Sequence, residues 1–234
     1  MKNVITTIQD KYKNSKDFGI SSLLQRKKKL LLWVASNCGS VPGARQRMDI
    51  SNLLKNTKIG DNFDRRGSCF EKERFPMEKF KEYKFYLSME NSFHCKDYIT
   101  EKLYRNGFLM EAVPVVWGSK KSDYHLPPNS VIFVEDYENM EELADYLSYL
   151  DRNDTAYLEY FQWRKIDVSN TSNYHVSNQK WCNIPAFQVG LCNLCGAVQK
   201  ENLQGKELNK KRRIVDSIYS WIYETENPEC LNGS

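Results

Sequence analysis

Lys84-Phe85-Tyr86-Leu87-Ser88-Met89-Glu90-Asn91, Asp97-Tyr98-Ile99-Thr100-Glu101-Lys102 and Ala112-Val113-Pro114-Val115-Val116-Trp117-Gly118 follow one another closely in the chain, and their reading decides the fold. They read as strand, polar turn, helix and strand, the length of one βαβ unit. Phe85, Leu87 and Met89 alternate with polar or amphipathic neighbours, as a strand requires. Beyond the turn the period changes: Ile99, Leu103, Asn106 and Met110 share one helical face, with Gly107 beside them. Tyr98, Glu101, Lys102 and Arg105 share another. Asp97 is placed to cap a helix beginning at Tyr98, with Lys102 one turn in. A helix start carrying a lysine and a carboxylate, just past a strand's C-terminal end, is where an α/β sheet takes a nucleotide phosphate. On charge pattern alone, a solvated helix face is the commoner explanation.

Working outward, the next informative stretch lies upstream. Lys29 to Ser36 is a nearly continuous apolar run, suited to the interior of a parallel sheet. It leads into Asn37-Cys38-Gly39-Ser40-Val41-Pro42-Gly43-Ala44-Arg45, whose turn residues precede a helix expected over Arg45 to Lys55. Val131 to Val134 reads as another strand. Met140, Leu143, Ala144, Leu147 and Leu150 lie at helical spacing, and Thr155 to Arg164 reads as a second helix. Trp181 to Leu203 and Lys210 to Tyr223 have helical character. Strands alternating with helices, with no internal repeat, imply an α/β domain: a doubly wound, mostly parallel, Rossmann-like sheet.

Composition sets the outer limits. The chain has 234 residues, 41% hydrophobic and 27% charged, enough for a sizeable core. A net charge of +4, with 30 acids offsetting scattered Lys and Arg, argues against nucleic acid and suits an anionic small substrate. No stretch reaches the roughly 18 apolar residues of a membrane span, and no signal-peptide core is visible. Cys192-Asn193-Leu194-Cys195 stands without a second such pair, and His94, His125 and His175 are distant in sequence, so a zinc site has little support. No Asp-x-Asp triplet occurs. His94, alone in a turn, is more simply a surface residue than a general base. Asn153-Asp-Thr, Asn170-Thr-Ser and Asn232-Gly-Ser are glycosylation sequons, with Asn153 and Asn170 the candidates.

The runs at 84–92, 97–102 and 112–118, together with Tyr160-Phe161-Gln162-Trp163-Arg164-Lys165, closely resemble the α1,3-fucosyltransferases of glycosyltransferase family 10. The likeness extends from about Leu30 to Cys195, and the Ser36-Asn37-Cys38 turn with its following arginine is a second signature. The resemblance implies the C-terminal, donor-binding half of a GT-B glycosyltransferase. Residues 1–28 would be a polar basic remnant of the inter-domain region, 29–205 the GDP-fucose-binding domain, and 206–234 a C-terminal helix and tail. It implies transfer of L-fucose from GDP-fucose to a GlcNAc hydroxyl of a glycan acceptor, in α1,3 linkage and with inversion. Arg45 and Lys102 would neutralise the diphosphate, with Arg47 a possible substitute for Arg45. Asn91 and Tyr98 would bond phosphates or ribose, and Glu101 would stand by the ribose or fucose ring. Glu101 and Lys102 would thus stabilise the transition state, while the family's general base belongs to an N-terminal domain this chain is expected to lack.

Family members are type II Golgi membrane enzymes, so a Golgi location and a membrane anchor outside this chain are implied for a longer parent. No cofactor is required; Mn2+ or Mg2+ enters only as an optional stimulant, and no metal site is expected. The late pair Cys192 and Cys195 would bridge to the N-terminal domain, and Cys38 and Cys69 are the expected bridge within the chain, in keeping with a secretory lumen. Two other classes compete with this reading. One is a non-catalytic protein that keeps the fold as a binding or assembly partner; the other is a GT-B transferase using a different sugar nucleotide.

Overall fold

A computed structural model describes residues 8, 20–71, 74–92, 98–121, 124 and 126–165. Asp97, His94, Cys95, Asn170, Cys192, Cys195 and both helical segments expected after Trp181 lie outside the described residues. The ordered elements are α1 (Ile20–Arg26), β1 (Lys29–Val34), α2 (Pro42–Lys55), β2 (Phe63–Arg66), β3 (Tyr83–Met89), a π-helix (Lys102–Phe108), β4 (Val113–Trp117), β5 (Ile132–Phe133), α3 (Met140–Arg152) and α4 (Asp154–Glu159). The five strands form one sheet in the order β2-β1-β3-β4-β5, and every pairing is parallel.

The core follows from the strand periodicity. Leu31, Trp33 and Ala35, Phe85, Leu87 and Met89, and Val113, Val115 and Trp117 project into one cluster with Leu54 of α2 and Leu143, Ala144, Leu147 and Leu150 of α3. Leu32 and Tyr86 join a second cluster with Phe80, and Val116 a third with Leu103 and Phe108 of the π-helix. A sheet buried on both sides explains why β3 and β4 show no exposed position along their length. Burying one such Phe, Leu or Val side chain stabilises the fold by roughly 1.5–3 kcal/mol.

Several expected boundaries move, each for a local reason. α2 begins at Pro42 and not at Arg45, because proline's φ is already set for a first helical turn. The single helix expected over Thr155 to Arg164 is α4 followed by a 3-10 turn at Gln162–Lys165. Asn153 opens α4 by accepting the Ala156 N–H at 3.1 Å, and its own amide donates to the Tyr149 hydroxyl at 3.0 Å. β5 keeps only two residues before a 3-10 turn at Val134–Asp136. The segment before Lys29 is not merely polar: α1 sends Leu23 into the main core, and Lys27 is buried with its ammonium donating to the carbonyls of Lys81 at 3.0 Å and Tyr83 at 2.9 Å.

The helix between β3 and β4 differs most. Tyr98, Ile99 and Thr100 are not helical; the turn starts at Glu101 and is a π-helix, with Leu109 N–H donating to Tyr104 O at 2.9 Å and Ala112 N–H to Gly107 O at 3.1 Å. The wider winding buries Leu103, Asn106, Gly107 and Phe108 together. A Cβ on Gly107 would lie 2.8 Å from Pro114 Cγ, so glycine is what lets this turn lie against β4.

Candidate functional site: the rim at the C-terminal ends of β1, β3 and β4

The chain runs from β1 outward to β2 and returns across β1 to β3, so the strand order reverses between β1 and β3. In an open α/β sheet the crevice beyond the strand ends at that reversal is where ligands bind. Three connections meet there: the Asn37–Val41 loop and first turn of α2 after β1, Glu90 and Asn91 after β3, and Gly118 and Ser119 after β4.

Arg47 ties the first two together. Its guanidinium is buried and donates to Met89 O at 3.1 Å and to Asn37 O at 2.7 Å, while lying over the Trp33 ring at 5.7 Å. Burial lowers its pKa, opposed by the nearby Glu90 charge. Arg45, two residues earlier and exposed, makes one backbone contact, to Gly39 O at 3.1 Å. Of the two arginines considered from the sequence, Arg45 is the exposed one, and Arg47 is bonded into the scaffold. The Asn37 side chain shapes the loop by accepting the N–H groups of Gly39 and Ser40 and the Ser40 hydroxyl. A disulfide between Cys38 and Cys69 fastens the same loop to the turn after β2.

Asn91 lies under the first turn of α2. A Cβ on Gly43 would stand 2.5 Å from Asn91 O and 2.8 Å from Ser92 Cα, so the close approach of helix and strand end requires glycine there. Tyr98 is half-buried, and its carbonyl accepts the Ser119 hydroxyl at 3.1 Å. Glu101 is exposed, 3.7 Å from the Lys102 ammonium.

The group that organises this side of the rim is Glu90, which sequence reasoning did not single out as a site residue. Its side chain is 3% exposed. One carboxylate oxygen accepts the Thr100 N–H and hydroxyl, each at 2.8 Å; the other accepts the Lys102 ammonium at 2.8 Å and lies 2.9 Å from the Thr100 hydroxyl. Lys102 also donates to that hydroxyl at 2.8 Å. The Thr100 N–H, just ahead of the helix, is thus satisfied by a carboxylate from the preceding strand end. Gly118, at φ +146°, lets the turn after β4 pass against Glu90; a Cβ there would sit 2.9 Å from Glu90 Cβ. Burial, with a smaller contribution from the Glu90 charge, pushes up the phenols of Tyr104 and Tyr124. Nothing in the sequence between positions 90 and 102 advertises these contacts, because they close across the turn and follow no helical or strand period.

Among the described residues no group of three His, Cys, Asp or Glu could hold a metal ion, and no helix is long and apolar enough to cross a membrane. The connections at the rim carry cationic and hydrogen-bonding residues: Arg45 exposed, Lys102 bonded to Glu90 with Glu101 3.7 Å away, and Asn91 and Tyr98 in the segments that lead from β3 to the π-helix. Such a set matches a diphosphate with an attached sugar.

Fold and rim define a Rossmann-like α/β domain of the GT-B type. The model of glycosyltransferase family 10 (fucosyltransferase), C-terminal part, matches residues 24–221, and the chain belongs to that family. It is 35% identical over 212 residues to alpha-(1,3)-fucosyltransferase 4 of Bos taurus, covering 88% of this chain and 47% of the relative. To 4-galactosyl-N-acetylglucosaminide 3-alpha-L-fucosyltransferase 9 of Cricetulus griseus it is 43% identical over 154 residues, 65% of this chain and 42% of the relative. A solved structure, of an alpha1,3-fucosyltransferase with GDP-fucose, superposes with a TM-score of 0.50 at 27% identity, over 61% of this chain and 40% of the other. The chain therefore spans about half the length of the relatives it matches, at 47% and 42%.

Proposed function

We propose that this chain is the donor-binding part of an α1,3-fucosyltransferase, which transfers L-fucose from GDP-fucose to a GlcNAc hydroxyl of a glycan with inversion. The observation that carries the proposal is the Lys102 ammonium, held by Glu90 at the C-terminal end of β3, in a chain whose family match covers residues 24–221. In the reaction the acceptor oxygen bonds to the anomeric carbon as the bond to the GDP oxygen breaks, and negative charge gathers on the diphosphate. Arg45 and Lys102 are assigned to that charge. Asn91 and Tyr98 are assigned to the phosphates or ribose. Glu101 is assigned to the ribose or fucose ring, where its charge favours the oxocarbenium-like state. The base that takes the acceptor proton is assigned to an acceptor-binding domain outside these residues.

For a longer parent we propose a Golgi membrane enzyme, with Mn2+ or Mg2+ acting as a stimulant without a built site. The 234-residue chain by itself is expected to bind GDP and GDP-fucose weakly and to transfer little. The test titrates the purified chain with GDP-fucose, GDP-mannose and UDP-galactose, and assays transfer to a GlcNAc-containing acceptor with and without an acceptor-binding domain fused ahead of it. Preference for GDP-fucose, with transfer only in the fusion, is the expected result. Preference for UDP-galactose would replace the donor, and efficient transfer by the chain alone would place the base within it.

A further inference from the structure

We infer that Glu90 is a positioning residue for donor binding: it acts through Lys102, holding the ammonium in the one orientation that leaves a donor for the diphosphate. The inference rests on the donor reading above and adds a residue to it.

An ammonium on a four-carbon stem is a mobile point charge with three donors. Here two of the three are committed, one to the Glu90 carboxylate at 2.8 Å and one to the Thr100 hydroxyl at 2.8 Å. The Thr100 hydroxyl donates its own proton to the same carboxylate, so ammonium, hydroxyl and carboxylate close a ring. With the Lys102 side chain only 15% exposed and two N–H bonds spent on Glu90 and Thr100, the third lies within ion-pair range of the exposed Glu101 carboxylate at 3.7 Å without bonding to it, and it is this donor that the inference gives to a ligand. The carboxylate itself is fixed from three sides. Its backbone N–H donates to Trp117 O at 3.1 Å, Gly118 lies against its Cβ, and the Thr100 N–H anchors one oxygen. A buried carboxylate next to a phosphate site would repel the ligand if it stood alone. Its value is therefore orientational: the Glu90–Lys102 pair gives up part of the lysine's field for a fixed direction, which lowers the ordering cost when the diphosphate arrives.

The test is a double-mutant cycle on the full 234-residue chain, read by NMR titration of GDP. Glu90→Gln, which keeps the shape and removes the charge, and Lys102→Ala should each weaken GDP by about tenfold, the worth of one charge-assisted contact. The double variant should be no weaker than Lys102→Ala, because Glu90 acts only through that ammonium. Thr100→Val, which removes the hydroxyl's bonds to carboxylate and ammonium but keeps the Glu90 charge and the Thr100 N–H bond to it, gives a second cycle with Lys102→Ala should Glu90→Gln fail to fold, and it should show the same non-additivity. Losses that add across either cycle would assign Glu90 a general structural role and overturn the inference. If Lys102→Ala binds GDP as well as wild type, or wild type binds none, the donor reading itself falls and takes this inference with it. Glu90→Gln binding GDP like wild type while Lys102→Ala does not would remove the inference and leave the donor reading standing.

Discussion

Arg45 and Arg47 sit two positions apart and carry the same charge, yet their surroundings give them opposite duties. Arg47→Ala would leave the carbonyls of Met89 and Asn37 without their guanidinium donor, the first inside the protein. The expected cost is ~2–4 kcal/mol of folding stability, measured by urea unfolding. Arg45→Ala should leave the unfolding midpoint in place, because the side chain is exposed and makes a single backbone contact. On the proposed function, Arg45→Ala or Lys102→Ala in the chain fused behind an acceptor-binding domain should instead cost ~2–4 kcal/mol of transition-state stabilisation, read from kcat/KM. Lys27 provides a test of a different kind. Burial lowers its pKa from 10.5 to about 7, only partly opposed by Glu111, while Arg164, Arg26 and Lys81 add to the lowering. Below about pH 7 both folded and unfolded chains carry the proton; above it the unfolded chain keeps a proton that the folded chain has lost. Stability should therefore rise with pH from about 7 toward 10, at no more than ~1.4 kcal/mol per pH unit from this group, and the rise should vanish in Lys27→Met.

At the scale of elements, the site is made by how closely they approach. Gly43 in the first turn of α2 faces the backbone of Asn91 and Ser92, which cannot step aside as a flexible side chain would. Gly43→Ala should push α2 away from the end of β3, costing on the order of 1–3 kcal/mol and weakening GDP even though Arg45 and Lys102 are intact. Thermal unfolding and a GDP titration of the same variant read both effects. The helical register after Tyr98 was legible only in part. The expected apolar face held Leu103 and Asn106, which are buried, but a period of 3.6 cannot show that a π-helix would bring in Phe108 or delay the start to Glu101. Pro114, packed against Gly107 seven positions earlier, is a contact between helix and strand that neither a period of 3.6 nor a period of 2 marks out.

Across the whole molecule, the Cys38–Cys69 disulfide joins the turns after β1 and β2 over a separation of 31 residues. Restricting a loop of that size in the unfolded chain is worth ~3–4 kcal/mol by the chain-entropy relation. Urea unfolding with and without reductant, repeated on Cys38→Ser/Cys69→Ser, should show a loss of that size. Because the bridge fastens the loop whose Gly39 carbonyl receives Arg45, reduction should also lower GDP affinity before global unfolding begins. A reduced protein with unchanged stability would show that the unfolded chain is already compact around these turns.

The strands at 29–34, 83–89 and 113–117, their order of appearance and the parallel α/β class lay in the sequence itself. A strand buried on both faces must be apolar along most of its length, and Lys29–Val34 and Val113–Trp117 meet that condition wherever they are placed. The chemical types at the rim were equally visible, since arginine, lysine, amide and carboxylate keep their character in any fold. Which arginine is exposed and which is buried, which carboxylate holds Lys102 and where the helix begins were decided by tertiary structure alone. Each depends on groups brought together from different strand ends, Arg47 with Met89 and Asn37, Glu90 with Thr100 and Lys102. Hydrogen bonds and burial act on distances in space, and residues 10 to 42 positions apart come within 3 Å or so only once the sheet has set them side by side.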